Sequence, residues 1–130
     1  MPLKRETIAT QHAPAAIGPY SQAVQVGDFV YTAGQIPLVP ETGKLIDGGI
    51  EEQTRQVMQN LAGILEAAGS SLAHTVKTTI FVTNLADFGA VNKVYGSFFT
   101  GDPPARSTVQ VAALPLGANV EIEAVAIKAG

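Results

Sequence analysis

Residues 50–68, IEEQTRQVMQNLAGILEAA, carry the clearest periodic pattern in this 130-residue chain. Their apolar residues recur at helical spacing: Val57, Leu61, Ile64, Leu65 and Ala68. Glu51 and Glu52 in the first turn favour the positive end of a helix dipole, and Gly69 suits the position just after the last turn. The pattern therefore predicts an amphipathic helix over Ile50–Ala68 with one buried face.

Strand patterns lie on both sides of this helix. Before it, β-branched and aromatic runs within residues 23–34 flank Gly27-Asp28, which predicts a hairpin with a tight turn. After it, Thr75–Val82 alternates as a strand does. The remaining predicted elements are a helix that begins at Asp87, carries Val91, Tyr95 and Phe98 on one stripe and ends before Gly101, and strands at Arg106–Val111 and Asn119–Lys128.

This order of elements predicts an α/β sandwich in which two helices cover one face of a sheet. The last strand is nevertheless apolar on both faces, with Val120, Ile122, Ala124 and Ala126 on one and Val125 and Ile127 on the other. Because the second face must also be buried, and the chain is too short to do so itself, we expect it to form a homo-oligomer.

Composition restricts the class of protein further. A length of 130 residues predicts one domain over residues 1–130. The absence of cysteine excludes disulfides, thiolate metal sites and cysteine nucleophiles, and it fits a reducing compartment. A net charge of −3 with eight Lys and Arg argues against nucleic-acid binding. No apolar run reaches the ~20 residues of a membrane span, and no secretory signal is visible, so we expect a soluble cytoplasmic domain.

Common catalytic motifs are absent, and the two histidines, His12 and His74, are too scattered to predict a metal site. Three positions are less easily explained by folding alone. Tyr20 follows a rigid Gly-Pro turn, Gly34 ends a strand, and Asn92 is a poor helix former inside a predicted helix. A structural loop, a β-bulge and simple solvent exposure are the respective alternatives.

Arg106 is the most informative of the candidate residues. Pro103 and Pro104 stiffen the approach to it, and its planar guanidinium matches the geometry of a carboxylate. If Arg106–Val111 and the last strand form an antiparallel hairpin, Arg106 lies opposite Glu121 or Glu123. The residues then allow either an internal salt bridge or a site that binds small carboxylates.

Four segments, in this order, resemble the reactive intermediate deaminase family (RidA/YjgF): Ala13–Gln22 (APAAIGPYSQ), Gly34–Pro37 (GQIP), Pro104–Ser107 (PARS) and Glu121–Ala124 (EIEA). The resemblance implies a chorismate-mutase-like fold with a mixed sheet and two helices on one face, assembled as a homotrimer with ligand clefts between subunits. It also implies hydrolysis of 2-imino acids, such as 2-iminopropanoate and 2-iminobutanoate, to 2-oxo acids and ammonia, without cofactor or metal.

The same resemblance assigns roles to residues. Arg106 matches the family's carboxylate-binding arginine, and Glu121 matches the carboxylate that positions the attacking water. The further substrate-binding positions implied are Tyr20 and Asn92 in the cleft wall, Gly34 through its backbone, and Thr108 through its backbone N–H. Two residues depart from the pattern, because Ala33 stands where well-studied bacterial members have Ser, and Thr108 where some members have Cys.

Two other functions compete with the deaminase. A trimer that binds 2-oxo acids without turnover would need Arg106 but would gain nothing from the negative charge of Glu121. A ribonuclease or translation inhibitor is the third hypothesis, and the acidic pI of about 5.2, the absence of Trp and the two histidines argue against it.

Overall fold

Six strands form one sheet in the order β1-β2-β3-β6-β4-β5 in the computed structural model, which describes residues 3–129. The strands are β1 (Arg5–Ile8), β2 (Ala23–Val26), β3 (Phe29–Thr32), β4 (Thr75–Val82), β5 (Ala105–Gln110) and β6 (Val120–Ile127). The helices are α1 (Ile50–Ala67) and α2 (Phe88–Gly96). Strands β4 and β5 run parallel and all other neighbours run antiparallel. This mixed sheet with two helices confirms the predicted fold class.

The core lies between the sheet and α1. Val57, Leu61 and Met58 are fully buried and pack against Val120 and Ile122 of β6. Complete burial of each such side chain stabilises the fold by about 1.5–3 kcal/mol. The predicted periodicity of α1 is confirmed, because its buried stripe is the side that meets the sheet.

Local turn chemistry also behaves as the sequence predicts. Gly27 has a φ of +58° in the turn between β2 and β3, a region that favours glycine. Gly69 has a φ of +79° just after α1, where the N–H of Ser70 donates to the Leu65 carbonyl over 2.8 Å. At the other end of α1, the Gly49 N–H donates to Glu52 Oε2 at 3.0 Å. Each end of the longest helix therefore carries a capping hydrogen bond.

Two sequence-based expectations differ from the structure. Strand β1 at Arg5–Ile8 was not predicted, and it adds an antiparallel edge beside β2. Helix α2 ends at Gly96, so Phe98 lies beyond it, partly buried against the core. Within the described residues, no helix is long and apolar enough to cross a membrane.

The predicted hairpin between the last two strands is wrong. Strand β5 pairs with β4, in parallel, and β6 pairs with β3 and β4 instead. The cause is the strand–helix–strand order β4–α2–β5, because a helical crossover returns the chain parallel to its starting strand. Arg106 consequently lies opposite Thr78, and among residues 3–129 the one ion pair within 4 Å joins Lys93 and Glu51 at 3.5 Å. The alternative of an internal Arg106–glutamate salt bridge is therefore wrong as well.

One face of the sheet remains uncovered by the helices. We call it the open face; its large apolar side chains include Phe29 and Tyr31 of β3, Val125 and Ile127 of β6, and Val109 of β5. Phe29 and Tyr31 are 45% and 47% exposed, although both are large and aromatic. The predicted apolar second face of β6 is thus present in the folded chain.

Candidate active site

Glu121 lies in a cavity of about 290 Å³ beside β6, which we call the Glu121 cavity. Tyr20 and Gly34 line it together with Glu121, so three of the candidate residues meet there. Most of the remaining wall is apolar and includes Pro14, Ile17, Ile36, Leu38 and Pro115. A single carboxylate in an apolar cavity is a common arrangement for a small-molecule site.

Gly34 allows the Glu121 side chain to lie directly on the main chain. A Cβ built on Gly34 would come within 2.8 Å of Cδ and 3.0 Å of Oε2 of Glu121, closer than real Cβ contacts. A two-way backbone hydrogen bond between Gln35 and Ile122, with N···O distances of 2.8 and 3.1 Å, fixes the two segments at this separation. Gly34 is therefore required by close approach rather than by a left-handed backbone.

The Glu121 carboxylate is half-buried and has no hydrogen-bond or ion-pair partner among residues 3–129. Burial, followed by the charge of Glu123 on the same strand, raises the pKa of Glu121 above its ordinary value. An unpaired carboxylate with a raised pKa is a better proton acceptor than an ordinary surface glutamate, and a group of this kind in a cavity is a candidate acid–base residue.

Gln22 holds one wall of the Glu121 cavity in place. Its Oε1 accepts from the Thr10 N–H at 2.6 Å, and its Nε2 lies 3.1 Å from the Thr10 carbonyl and 2.7 Å from the Pro14 carbonyl. Its own carbonyl accepts from the N–H of Ala33, the neighbour of Gly34. Gln22, which is 5% exposed, thus ties two sides of the cavity together.

Asn60 holds the opposite wall in the same manner. It projects from the buried side of α1, where Nδ2 donates to the Leu38 carbonyl at 2.9 Å and lies 3.4 Å from the Ile36 carbonyl. Sequence reasoning missed both Gln22 and Asn60 as residues that shape the site. For Asn60, the sequence did contain a signal, because it is a polar residue among the apolar positions of α1, beside Leu61 and Val57.

Arg106 lies in a different cavity, of about 350 Å³, between β5 and α2, which we call the Arg106 cavity. Its guanidinium carbon lies 5.1 Å from the ring centre of Tyr95 and 5.4 Å from that of Phe88. These cation–π contacts orient the guanidinium without neutralising it. Burial raises the pKa of Tyr95, against the opposing effects of its hydrogen bond to Thr78 and of Arg106, so its phenol stays neutral.

Asn92 lines the Arg106 cavity, and Thr108 follows Arg106 by two residues on the same side of β5. Both carry a buried side-chain oxygen with no hydrogen-bond partner among the described residues, Oδ1 of Asn92 and Oγ1 of Thr108. The Val111 N–H donates to the Val82 carbonyl of β4. Because backbone groups alternate along a strand, the Thr108 N–H, three residues earlier, points to the free edge of the sheet.

Arg106 and Glu121 therefore do not meet within one chain. Arg106 pairs with Thr78, which pairs onward with Ala124, and these positions share the face that carries the helices. Glu121 is three residues from Ala124, an odd number, so its side chain points to the opposite face of the sheet. One chain thus carries Tyr20, Gly34 and Glu121 in one cavity, and Asn92 and Arg106 in the other.

No group of three or more His, Asp or Glu side chains within residues 3–129 is arranged to hold a metal ion.

The small mixed sheet, with one carboxylate cavity and one guanidinium cavity, is typical of a protein that binds small molecules. A sequence profile described as Endoribonuclease L-PSP matches residues 10–128. The chain belongs to this family, which is that of the RidA and YjgF proteins.

Individual relatives are similar over nearly their whole length. A Mus musculus protein named 2-iminobutanoate/2-iminopropanoate deaminase is 51% identical over 124 residues, 95% of this chain and 92% of its own. The structure of the YjgF gene product from E. coli aligns with a TM-score of 0.91 at 48% identity, covering 95% and 99% of the two chains. That of E. coli TdcF with bound serine aligns with a TM-score of 0.91 at 44% identity, over 95% and 99%.

Proposed function

We propose that this protein hydrolyses reactive 2-imino acids, such as 2-iminopropanoate and 2-iminobutanoate, to 2-oxo acids and ammonia. The observation that carries the proposal is the unpaired, half-buried Glu121 carboxylate, which lies against Gly34 in an apolar cavity. A relative 51% identical and named for this reaction supports the same substrate class. The reaction makes the protein a hydrolase of C–N bonds that needs no cofactor.

Glu121 is the general base and then the general acid of the proposed mechanism. It accepts a proton from water while the water oxygen forms a bond to the electrophilic imine carbon. Glu121 returns this proton to the nitrogen, which leaves a neutral species with one hydroxyl and one amino group on the same carbon. Glu121 then accepts the hydroxyl proton and passes it to the amino nitrogen, so that the C–N bond breaks, the C=O bond forms and ammonia leaves. One water is consumed, and one 2-oxo acid and one ammonia form. General acid–base assistance of this kind contributes about 10²–10⁴-fold in rate.

Arg106 binds the substrate carboxylate in this proposal. Its guanidinium is held by Tyr95 and Phe88 and lacks a carboxylate partner among the described residues, so two parallel N–H donors remain for an anion. The outward N–H of Thr108 offers a further donor at the same sheet edge. Asn92 lies in the same cavity wall.

Because Arg106 and Glu121 lie on opposite faces of the sheet, a site that uses both must combine residues of two chains. We assign this role to a homotrimer in which each cleft takes Arg106, Asn92 and Thr108 from one subunit and Tyr20, Gly34 and Glu121 from its neighbour. The open face supports assembly, since Phe29, Tyr31 and Ile127 would lose water on contact with another copy. The cytoplasmic location remains a prediction from the sequence.

Glu121 also separates this proposal from a non-enzymatic binder of 2-oxo acids. A negative carboxylate beside an anionic ligand weakens binding, so a binding protein gains nothing from it. The coupled assay that tests the proposal generates 2-iminopropanoate from alanine with an amino-acid oxidase and follows imine decay. We expect decay to accelerate with the wild-type chain and to return to the uncatalysed rate with Glu121→Gln. Binding of pyruvate by a chain that never accelerates decay would support the binder instead.

A further inference from the structure

Ile17 is an apolar residue on the wall of the Glu121 cavity that remains 64% exposed to solvent. The other large aliphatic residues of that wall, Ile36 and Leu38, are 8% and 4% exposed and already belong to the core. A side chain gains from apolar contact in proportion to the area that it still exposes to water. Ile17 therefore has the most to gain from an apolar group that enters this cavity.

The segment that carries Ile17 is rigid rather than free. The Ile17 N–H donates to the Tyr20 hydroxyl at 3.2 Å, and the Tyr20 N–H donates to the Gly18 carbonyl at 2.8 Å. Pro19 fixes one further backbone angle, and the buried Gln22 amide binds the preceding residues through Pro14. A contact with a side chain held in this way costs little conformational entropy, so it discriminates well between ligands.

The cavity is larger than the smallest proposed substrate. The six heavy atoms of 2-iminopropanoate would fill no more than about 180 Å³, even at the roughly 30 Å³ that each molecule of liquid water occupies. The Glu121 cavity measures about 290 Å³, and its wall away from the carboxylate is apolar. The remaining space suits additional methylene or methyl groups.

We infer that Ile17 is a specificity-determining residue that favours 2-imino acids with an aliphatic side chain longer than methyl, such as the imine of leucine, over 2-iminopropanoate. This inference rests on the proposed deaminase function. Each methylene added or lost in a hydrophobic pocket changes specificity by about 10–200-fold. Ile17 lies at a partly open wall, so we expect an effect near the low end of that range.

The test compares kcat/KM for the imines of leucine and alanine in wild type, Ile17→Val and Ile17→Ala. We expect the ratio of leucine-derived to alanine-derived imine to fall by about 5–20-fold in Ile17→Ala, mainly through KM, with Ile17→Val intermediate. Leu85→Ala is the matched control, because Leu85 is an apolar residue 47% exposed that does not line this cavity, and its ratio should equal that of wild type. An unchanged ratio in Ile17→Ala, or an equal loss on both substrates, overturns the inference.

Binding distinguishes failure of this inference from failure of the proposed function. Calorimetry gives the Kd values of 4-methyl-2-oxopentanoate and pyruvate, which are the products of the two imines. If neither imine is hydrolysed but Ile17→Ala still lowers the preference for the longer oxo acid, the deaminase proposal fails and the role of Ile17 stands. If imines are hydrolysed and Ile17→Ala alters neither the rate ratio nor the binding ratio, the role of Ile17 fails and the deaminase stands.

Discussion

The side chain of Glu121 lies on the backbone of Gly34, with no room for a methyl group between them: a Cβ at residue 34 would come within 2.8 Å of Cδ. The Glu121 carboxylate is therefore packed against the segment that follows β3, and the Gln35–Ile122 bridge fixes the distance between this segment and β6. The proposed base, Glu121, can occupy this position only because residue 34 has no side chain.

Gly34→Ala tests this relationship. The new methyl group would meet the flexible end of Glu121 rather than backbone, so Glu121 should move while the fold persists. We expect kcat to fall by about 10²–10⁴-fold, the usual contribution of general acid–base catalysis, with little change in the thermal midpoint. Gly89→Ala is the control, because a Cβ there meets nothing within 4 Å, and it should retain activity. Normal turnover by Gly34→Ala would separate Glu121 from the chemistry.

The pH dependence of activity follows from the raised pKa of Glu121. Glu121 must be ionised to accept a proton. When the pH is lowered, kcat/KM should therefore begin to fall at a pH above the range in which an ordinary glutamate is protonated.

The raised pKa of Glu121 also affects stability, because the folded chain keeps this proton at pH values where the unfolded chain has lost it. Its contribution to the free energy of unfolding should decrease as pH rises from the ordinary glutamate range through the raised pKa.

Glu123→Gln should move the acidic limb of kcat/KM to lower pH. The charge of Glu123 is the second cause of the raised pKa, after burial, so its removal lets Glu121 ionise more readily. Two other titratable side chains that face the same side of the sheet, Lys77 of β4 and Tyr31 of β3, are unchanged in this variant. Glu66→Gln on α1 removes the same charge on the side of the helices and should leave the profile where it was. If the acidic limb of kcat/KM moves equally in Glu123→Gln and Glu66→Gln, the shift comes from the net charge of the protein and not from the charge beside Glu121.

Arg106→Lys tests the binding of the substrate carboxylate. Lysine keeps the positive charge but lacks the planar fork of donors, so one of two parallel hydrogen bonds is lost. A hydrogen bond to a charged group contributes about 1.5–3 kcal/mol, and we expect kcat/KM to fall by about 10–100-fold. Arg55→Lys makes the same exchange on the exposed side of α1 and should be silent. Wild-type activity of Arg106→Lys would argue against bidentate recognition.

Assembly through the open face predicts that Val125→Asp disrupts both oligomer and activity. A carboxylate placed where the neighbouring chain closes over β6 would be buried without a partner. Light scattering should give a trimer for wild type and a smaller species for Val125→Asp, with imine hydrolysis lost in parallel. Leu85→Asp is the control, because it adds the same charge at an apolar residue that is 47% exposed and lies in the turn before α2, outside the strands of the sheet. A fully active wild-type monomer would contradict the assembly and the shared site together.

Local patterns in the sequence predicted most of the fold. The periodicity of residues 50–68 and the glycine at position 27 specify a helix and a turn through near neighbours alone. The neighbour of β5 depends on a contact distant in sequence, and apolar alternation alone does not specify it. The order of elements β4–α2–β5 did indicate that β5 pairs with β4, because two strands joined by a helical crossover usually pair in parallel.

The sequence supplied the candidate site residues, whose roles remain a proposal, but it did not supply their arrangement in the folded chain. The four motifs include Tyr20, Gly34, Arg106 and Glu121, yet no local pattern in them indicates that the folded chain places these residues in two separate cavities. That separation depends on register, because an odd offset along β6 directs Glu121 away from the face that Arg106 shares. Gln22 shapes the site through partners up to twelve residues away, which no local pattern indicates.

Subunit complementation tests the central claim that Arg106 and Glu121 of different chains form one catalytic site. Arg106→Ala and Glu121→Gln, each inactive alone, are mixed in equal amounts, unfolded together and refolded. Random assembly of such trimers leaves one intact cleft in each mixed trimer, so about a quarter of wild-type imine hydrolysis should return. If both residues act within one chain, no mixed trimer contains an intact site. Activity no higher than that of the variants refolded separately would contradict the account.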